Sequence, residues 1–233
     1  HAGKGKAGKK TPIIVRMIWS DTDTAQMNLA LALAKQALFI TTPNPRVGCV
    51  ITSSNGEVLG EGYTQAAGLA HAEIMALHDA QARGHAVQGA TVYVTLEPCA
   101  HHGRTGPCCD ALIDAGIAKV VASLQDPNPQ VAGLGFAQLR TAGIQVDVGL
   151  GAQEAKELNI GFFKRMQNGT PWLRLKTAQS LDGQTALNNG TSQWITGTSA
   201  RQRVHELRAE SDAVVVGAGT VRADDPELTV RDA

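Results

Sequence analysis

Between residues 24 and 150, short β-branched runs alternate with amphipathic stretches, and this alternation constrains the fold more than any other feature. Residues 24–40 place Met27, Leu29, Ala30, Leu33, Ala34, Ala37 and Leu38 at helical spacing. Thr41-Thr-Pro-Asn-Pro45 ends that helix, because two prolines forbid its continuation. Val47 to Ile51 reads as a short buried strand, Asn55-Gly56 as a hairpin turn and Val58 to Tyr63 as the returning strand. Residues 72–84 read as a helix stopped by Gly84. Thr91 to Leu96 is a strand, Cys108 to Ala115 a helix after Pro107, and Lys119 to Leu124 a strand. Residues 133–143 are helical and Ile144 to Val148 is a strand. Such alternation predicts a layered α/β domain whose largely parallel sheet follows an opening hairpin.

Gly149-Leu-Gly151 breaks the pattern, so a first domain is expected over 24–150. Residues 151–170 read as a connecting segment, with one polar helix over 152–168. A new pattern begins at Pro171: a strand over 172–178, a turn at Asp182-Gly183, a helix over 199–210 and a strand over 213–216. Roughly 65 residues with two strands and one helix cannot close a core of their own. Residues 171–233 are therefore expected to be the N-terminal part of an incomplete second domain. Residues 1–23 open with a basic, Gly-rich run and no apolar segment behind it, so they read as a disordered leader rather than a secretory signal.

Composition narrows the function classes. Lys+Arg and Asp+Glu both number 21, so there is no basic excess of the kind a nucleic-acid binder carries. No apolar run reaches membrane-spanning length. With no signal peptide the expected compartment is the reducing cytoplasm, where clustered cysteines are metal ligands or catalytic groups rather than disulfides. Of Cys49, Cys99, Cys108 and Cys109, three fall within eleven residues.

The chemistry concentrates in His71-Ala72-Glu73, which opens the second helix, in Pro98-Cys99 after a strand, and in Pro107-Cys108 at the start of the next helix. One imidazole and two thiolates supply three of the four ligands that tetrahedral zinc takes, and leave a position open as catalytic sites do. Zinc there lowers the pKa of water to about 7. Glu73, two residues from His71 on the same helical turn, is placed to move protons without being a ligand. Helix, strand-Pro-Cys and Pro-Cys-helix in this order is the arrangement of zinc nucleobase deaminases. Those usually read Pro-Cys-x-x-Cys, whereas eight residues separate Cys99 from Cys108 here. That longer loop carries His101, His102, Arg104 and Thr105, and its cationic character points to an anionic substrate group. Cys109 competes with Cys108 as the third ligand. Cys108 is preferred because it directly follows Pro107.

Several stretches resemble the bifunctional riboflavin-biosynthesis deaminase–reductase family of bacteria. They are Thr42-Pro-Asn-Pro-Arg-Val-Gly48, His71-Ala-Glu73, Leu96-Glu-Pro-Cys-Ala-His-His-Gly-Arg-Thr-Gly-Pro-Cys-Cys109 and Gln125-Asp-Pro-Asn-Pro129. Further on they are Gly133-Leu-Gly135, Leu175 to Gly183, Ser192-Gln-Trp-Ile-Thr196, Val216 to Val221 and Asp224 to Arg231. The resemblance implies a three-layer α/β/α cytidine-deaminase-like domain followed by the start of a dihydrofolate-reductase-like α/β domain. It implies zinc-dependent deamination of 2,5-diamino-6-ribosylamino-4(3H)-pyrimidinone 5′-phosphate, and NADPH-dependent reduction of the ribosyl group in the complete protein. His71, Cys99 and Cys108 would hold Zn2+ and Glu73 would shuttle protons. Asn44 would contact the pyrimidine, although turn chemistry alone also explains an Asn between prolines. His101 and Arg104 would line the substrate site, Arg104 near the phosphate.

In the second part, Lys176, Arg208, Asp224, Leu228 and Arg231 would bind the ribosyl phosphate. Ser192, Trp194, Thr196, Gly217, Gly219 and Thr220 would lie near NADPH, and a tight turn explains Gly217 to Thr220 equally well. The chain as written is expected to lack reductase turnover. Two departures stand out: Thr64 where the family often has His, and Ala70 where it usually has Pro. The resemblance implies a homo-oligomer acting on a small molecule, and the charge balance and hydropathy point to neither nucleic acid nor membrane as partner. A tRNA-type deaminase and a zinc-stabilised binding module with a fourth protein ligand, Cys109 or His102, are the competing readings.

Overall fold

The computed structural model describes residues 18–101, 106–129 and 131–231. Helix α1 (Asp21–Gln36) begins earlier than the apolar spacing predicts, and the reason is a cap. The Ser20 hydroxyl accepts the Asp23 backbone N–H at 3.0 Å while the Asp23 carboxylate accepts the Ser20 N–H at 3.0 Å, a reciprocal capping box. The helix ends at Gln36, ahead of Thr41-Thr-Pro43, and residues 37–40 form turns.

Strands β1 (Gly48–Thr52) and β2 (Val58–Tyr63) form the expected hairpin around Gly56, whose φ of +87° suits a residue without Cβ. Then follow α2 (Ala72–Ala82), β3 (Thr91–Val94), α3 (Cys108–Asp114), β4 (Lys119–Ala122), α4 (Leu134–Thr141) and β5 (Gln145–Val148). The sheet order is β2-β1-β3-β4-β5. β1 runs antiparallel to β2 and β3, and β3, β4 and β5 are parallel. Alternate side chains of each strand face opposite layers. Val50, Tyr93 and Val121 pack with Met27, Ala30 and Leu31 of α1. Cys49, Ile51, Val92, Val94 and Val120 pack with Ala72 and Ala76 of α2, Leu112 of α3 and Leu139 of α4. This is the three-layer α/β/α arrangement.

Helix α2 sits unusually close to β2, and glycine permits it. A Cβ on Gly62 would lie 2.5 Å from the Ala72 carbonyl oxygen, so any side chain there would push away the helix start that carries His71 and Glu73.

The connecting segment departs from its expected form. Instead of one polar helix there are two, α5 (Ala152–Leu158) and α6 (Ile160–Asn168). The break is Asn159, 2% exposed. Its side-chain amide donates to the Arg46 carbonyl at 2.9 Å, and its Oδ1 accepts the Arg46 N–H at 2.7 Å. The two helices also join the core: Ala155 packs into the α1 layer and Phe163 into the opposite layer.

Beyond Met166 the expectations divide. Helix α7 (Thr198–Ala209) appears where a helix is expected. The strands expected over 172–178 and 213–216 are absent. Both segments lie exposed, Leu173 at 82% and Val215 at 91%, and among the described residues no strand lies beside them to complete a ladder. Gly217 to Thr220 is not a free turn but the N-cap and first residues of α8 (Ala218–Asp224). Among the described residues from 171 onward, none is buried.

Candidate metal centre

Three elements converge on one point. His71 is the N-cap of α2 in extended geometry, Cys99 lies in the loop after β3, and Cys108 is the first residue of α3. The His71 Nδ1 lies 3.6 Å from the Cys99 Sγ and 3.4 Å from the Cys108 Sγ. Ligand atoms of all three lie within 4.8 Å of one another. One imidazole and two thiols converging at this separation fit a tetrahedral zinc ion with a fourth position to spare. The Cys108 backbone N–H donates to the Cys99 sulfur at 3.3 Å, which favours thiolate there.

Adjacent Cys109 takes another path. One helical step turns its side chain away, and its thiol donates to the carbonyls of Pro98 at 3.3 Å and Gly135 at 3.6 Å. The geometric cluster contains Cys108 and not Cys109.

The electrostatics couple these groups. The Cys99 thiol is pulled well below its ordinary value by hydrogen bonds from Cys108 and His71. The His71 ring is pushed up, chiefly by its hydrogen bond with Cys99 and then by the nearby Glu73 charge. Glu73 is 4% exposed at the start of α2. Burial first, and the Cys99 charge second, raise its carboxyl to about 7. A carboxyl that titrates near neutrality can both accept and donate a proton at working pH.

A cavity of about 510 Å³ opens beside the cluster, with His71, Glu73 and Cys99 on its wall. Asn44 and His101 also line it, as does Thr64, whose buried hydroxyl reaches the Val47 carbonyl at 3.5 Å. Arg104 lies outside the described residues, as do His102 and Thr105. Sequence reasoning missed Asp126 and Asn128 on one wall and Phe162, Arg165 and Met166 of α6 on another.

It also missed the role of Glu97. This buried carboxylate accepts four backbone N–H groups, from Asp126 and Gly133 at 3.0 Å each, Gly135 at 2.9 Å and Phe136 at 3.2 Å. It thereby fixes the segment that brings Asp126 and Asn128 to the cavity. The same packing leaves Gly135 no room for a Cβ, which would fall 2.0 Å from the Pro98 carbonyl oxygen.

Candidate residues in the second part gather less completely. Arg208 donates to the Thr229 carbonyl at 2.9 Å, and the Arg231 N–H donates to His205 at 3.1 Å, so α7 meets the segment carrying Leu228 and Arg231. Trp194 lies under the Arg201 guanidinium at 4.5 Å, and Thr196 offers its carbonyl to the same side chain. Gly217 caps α8, which holds Gly219, Thr220 and Asp224. Ser192 and Lys176 are exposed. Among the described residues of this part, none lines the cavity beside the His–Cys–Cys cluster.

A sheet of this order, with a His–Cys–Cys cluster at two helix starts, defines the class of cytidine-deaminase-like zinc folds. Residues 20–124 match the model of the cytidine and deoxycytidylate deaminase zinc-binding region, and residues 171–233 match that of the RibD C-terminal domain. The riboflavin biosynthesis protein RibD of Escherichia coli is 58% identical over 209 residues, covering 90% of this chain and 56% of that protein. RibD of Aquifex aeolicus is 50% identical, covering 91% and 58%. Among solved structures, Acinetobacter baumannii RibD is 50% identical with a TM-score of 0.83, covering 91% of this chain and 58% of that one. A diaminohydroxyphosphoribosylaminopyrimidine deaminase/5-amino-6-(5-phosphoribosylamino)uracil reductase from Thermotoga maritima is 43% identical with a TM-score of 0.86, covering 90% and 59%. The chain belongs to the RibD family, and it spans little more than half the length of these relatives.

Proposed function

We propose that the first domain hydrolytically deaminates 2,5-diamino-6-ribosylamino-4(3H)-pyrimidinone 5′-phosphate as the zinc-dependent half of a riboflavin-biosynthesis enzyme. The observation that carries this reading is the convergence of His71, Cys99 and Cys108 beside the buried Glu73 carboxyl, on a cavity of ligand size.

In this reading His71, Cys99 and Cys108 hold Zn2+. When bound, zinc supplies a Lewis acid and lowers the pKa of water at the site to about 7. Glu73 takes a proton from the attacking water as the oxygen adds to the amino-bearing ring carbon. It then delivers a proton to the departing nitrogen, the C–N bond breaks and ammonia leaves. Asn44 contacts the pyrimidine, and His101 and Arg104 serve the substrate, Arg104 at its phosphate. Thr64 offers a neutral hydroxyl where a cation would otherwise stand.

The second part is assigned to reduction of the ribosyl group by NADPH in the full-length protein. Lys176, Arg208, Asp224, Leu228 and Arg231 would serve the substrate, and Ser192, Trp194, Thr196, Gly217, Gly219 and Thr220 the cofactor. The match of 171–233 to the RibD C-terminal domain supports this assignment. A cytoplasmic homo-oligomer with a small-molecule substrate, and neither nucleic acid nor membrane as partner, completes the reading. Balanced charge and four unpaired cysteines agree with it. No helix of the described residues is long and apolar enough to cross a membrane.

Ammonia release from the diaminopyrimidine ribosyl phosphate tests the proposal. Zinc-loaded wild type is expected to release ammonia. Glu73→Gln is expected to lose several orders of magnitude in rate with zinc content unchanged. Absence of release from zinc-loaded wild type would overturn the assignment.

A further inference from the structure

Helix α6 supplies one wall of the cavity through Phe162, Arg165 and Met166. Among the described lining residues the carboxylates are Glu73, Glu97 and Asp126, and Arg165 is the single permanent cation. A cavity with that acidic content repels an anionic ligand unless a cation is aimed at the anion. Among the described residues Arg165 forms no ion pair. Its Nη2 donates to the Pro43 carbonyl at 2.8 Å, and its guanidinium carbon stands 5.8 Å from the centre of the Phe162 ring. Carbonyl and ring together hold the guanidinium beside the segment carrying Asn44, while its other N–H donors are not spent on a carboxylate. A planar fork held this way suits a phosphate monoester, which it can bind through two parallel hydrogen bonds.

We propose that Arg165 is a specificity residue of the cavity that binds the phosphate group of the ligand. This rests on the deaminase reading of the same cavity and adds to it. The phosphate is gripped by the segment following the first domain's sheet. The joining segment thereby becomes part of the site.

The test compares kcat/KM for the phosphorylated diaminopyrimidine substrate and for its dephosphorylated nucleoside, in wild type, Arg165→Gln and Arg165→Lys. A charge-assisted contact of this kind is worth about ten- to a hundredfold in affinity. Arg165→Gln is expected to lose that factor for the phosphorylated substrate, mainly through KM, and to leave the nucleoside unchanged. Arg165→Lys, which keeps the charge but not the fork, is expected to fall between. Equal losses for both substrates would assign Arg165 to scaffolding of the Pro43 segment and overturn the proposal, as would no loss for either.

A second measurement does not depend on turnover: calorimetric titration of the zinc-loaded protein with ribose 5-phosphate. Arg165→Gln is expected to bind it about ten- to a hundredfold more weakly than wild type. Equal isotherms, including no binding by either protein, would overturn the subsite. Should wild type fail to deaminate yet lose ribose 5-phosphate binding on substitution, the deaminase assignment falls and the anion subsite stands.

Discussion

Cys108 and Cys109 are neighbours, both fully buried, and they do opposite things. The first faces His71 and Cys99, while the second hydrogen-bonds two carbonyls. Replacing Cys108 by Ser is therefore expected to cut bound zinc to a small fraction of one per chain, measured by elemental analysis. Replacing Cys109 by Ala is expected to leave zinc stoichiometric and to cost about 1–2 kcal/mol in urea unfolding, for lost packing and a thiol hydrogen bond. A second residue-scale expectation concerns Asp23. Burial acts to raise its carboxyl, but hydrogen bonds from Ser20 and from the Tyr93 hydroxyl, at 2.8 Å, outweigh it and hold the group below its ordinary value. A depressed folded-state pKa contributes stability that is present above the unfolded value of about 3.9 and lost as pH falls through the folded value. Tyr93→Phe is expected to cost about 1 kcal/mol at neutral pH, and less than that at an acid pH below the depressed folded value of Asp23, where its carboxylate is lost. Equal costs at both pH values would refute the link. The residues of the His71–Cys99–Cys108 cluster were legible as candidate ligands because each sits at a local signal, a helix start or a Pro-Cys step. Asp126, Asn128 and Arg165 carry no such signal; they reach the cavity only because distant elements fold onto it.

At the level of elements, the first domain could be read because its central strands β1, β3 and β4 are buried on both faces and its helices on one, which imprints two distinct periodicities. What escaped that reading depends on single polar groups. Ser20 moved the start of α1, Asn159 split the joining helix, and Glu97 organises a segment that periodicity leaves blank. Glu97 is also the element-scale test. Its carboxylate holds the stretch from Asp126 to the start of α4 through four N–H groups, so an amide nitrogen in place of one oxygen must face donors it cannot accept. Glu97→Gln is expected to cost about 1–3 kcal/mol and to speed hydrogen exchange at Gly133, Gly135 and Phe136, with the amides of β3 unaffected. Unchanged exchange at those three amides would show that the carboxylate does not hold the segment. The opposite error, strands expected over 172–178 and 213–216, has an equally physical origin. Apolar β-branched runs record a preference for pairing, and a ladder forms only where a neighbouring strand is present.

Across the whole molecule, burial is divided sharply: the buried hydrophobic residues run from Met27 to Phe163, and the described residues from 171 onward contribute none. Local opening is easiest where few apolar contacts are lost, so the two parts should differ in resistance to cleavage. Limited proteolysis is expected to cut first beyond residue 170 and to leave a resistant fragment that retains α5 and α6, because Ala155 and Phe163 are packed into the two layers of the core. A fragment ending near residue 150 would show instead that the joining helices are peripheral. The metal cluster ties together the starts of α2 and α3 and the loop after β3, all inside the resistant part. A ligand that binds only the folded state stabilises it by mass action, by about 4 kcal/mol at a thousand times its dissociation constant. Stripping zinc with a chelator is therefore expected to lower the unfolding temperature of the resistant fragment by several degrees and to speed its cleavage. The rate of the first cuts, beyond residue 170, should not change, because among the described residues none from that segment belongs to the cluster or lines the cavity beside it. If chelation accelerated those cuts equally, the second part would have to be docked on the zinc domain tightly enough to share its stability.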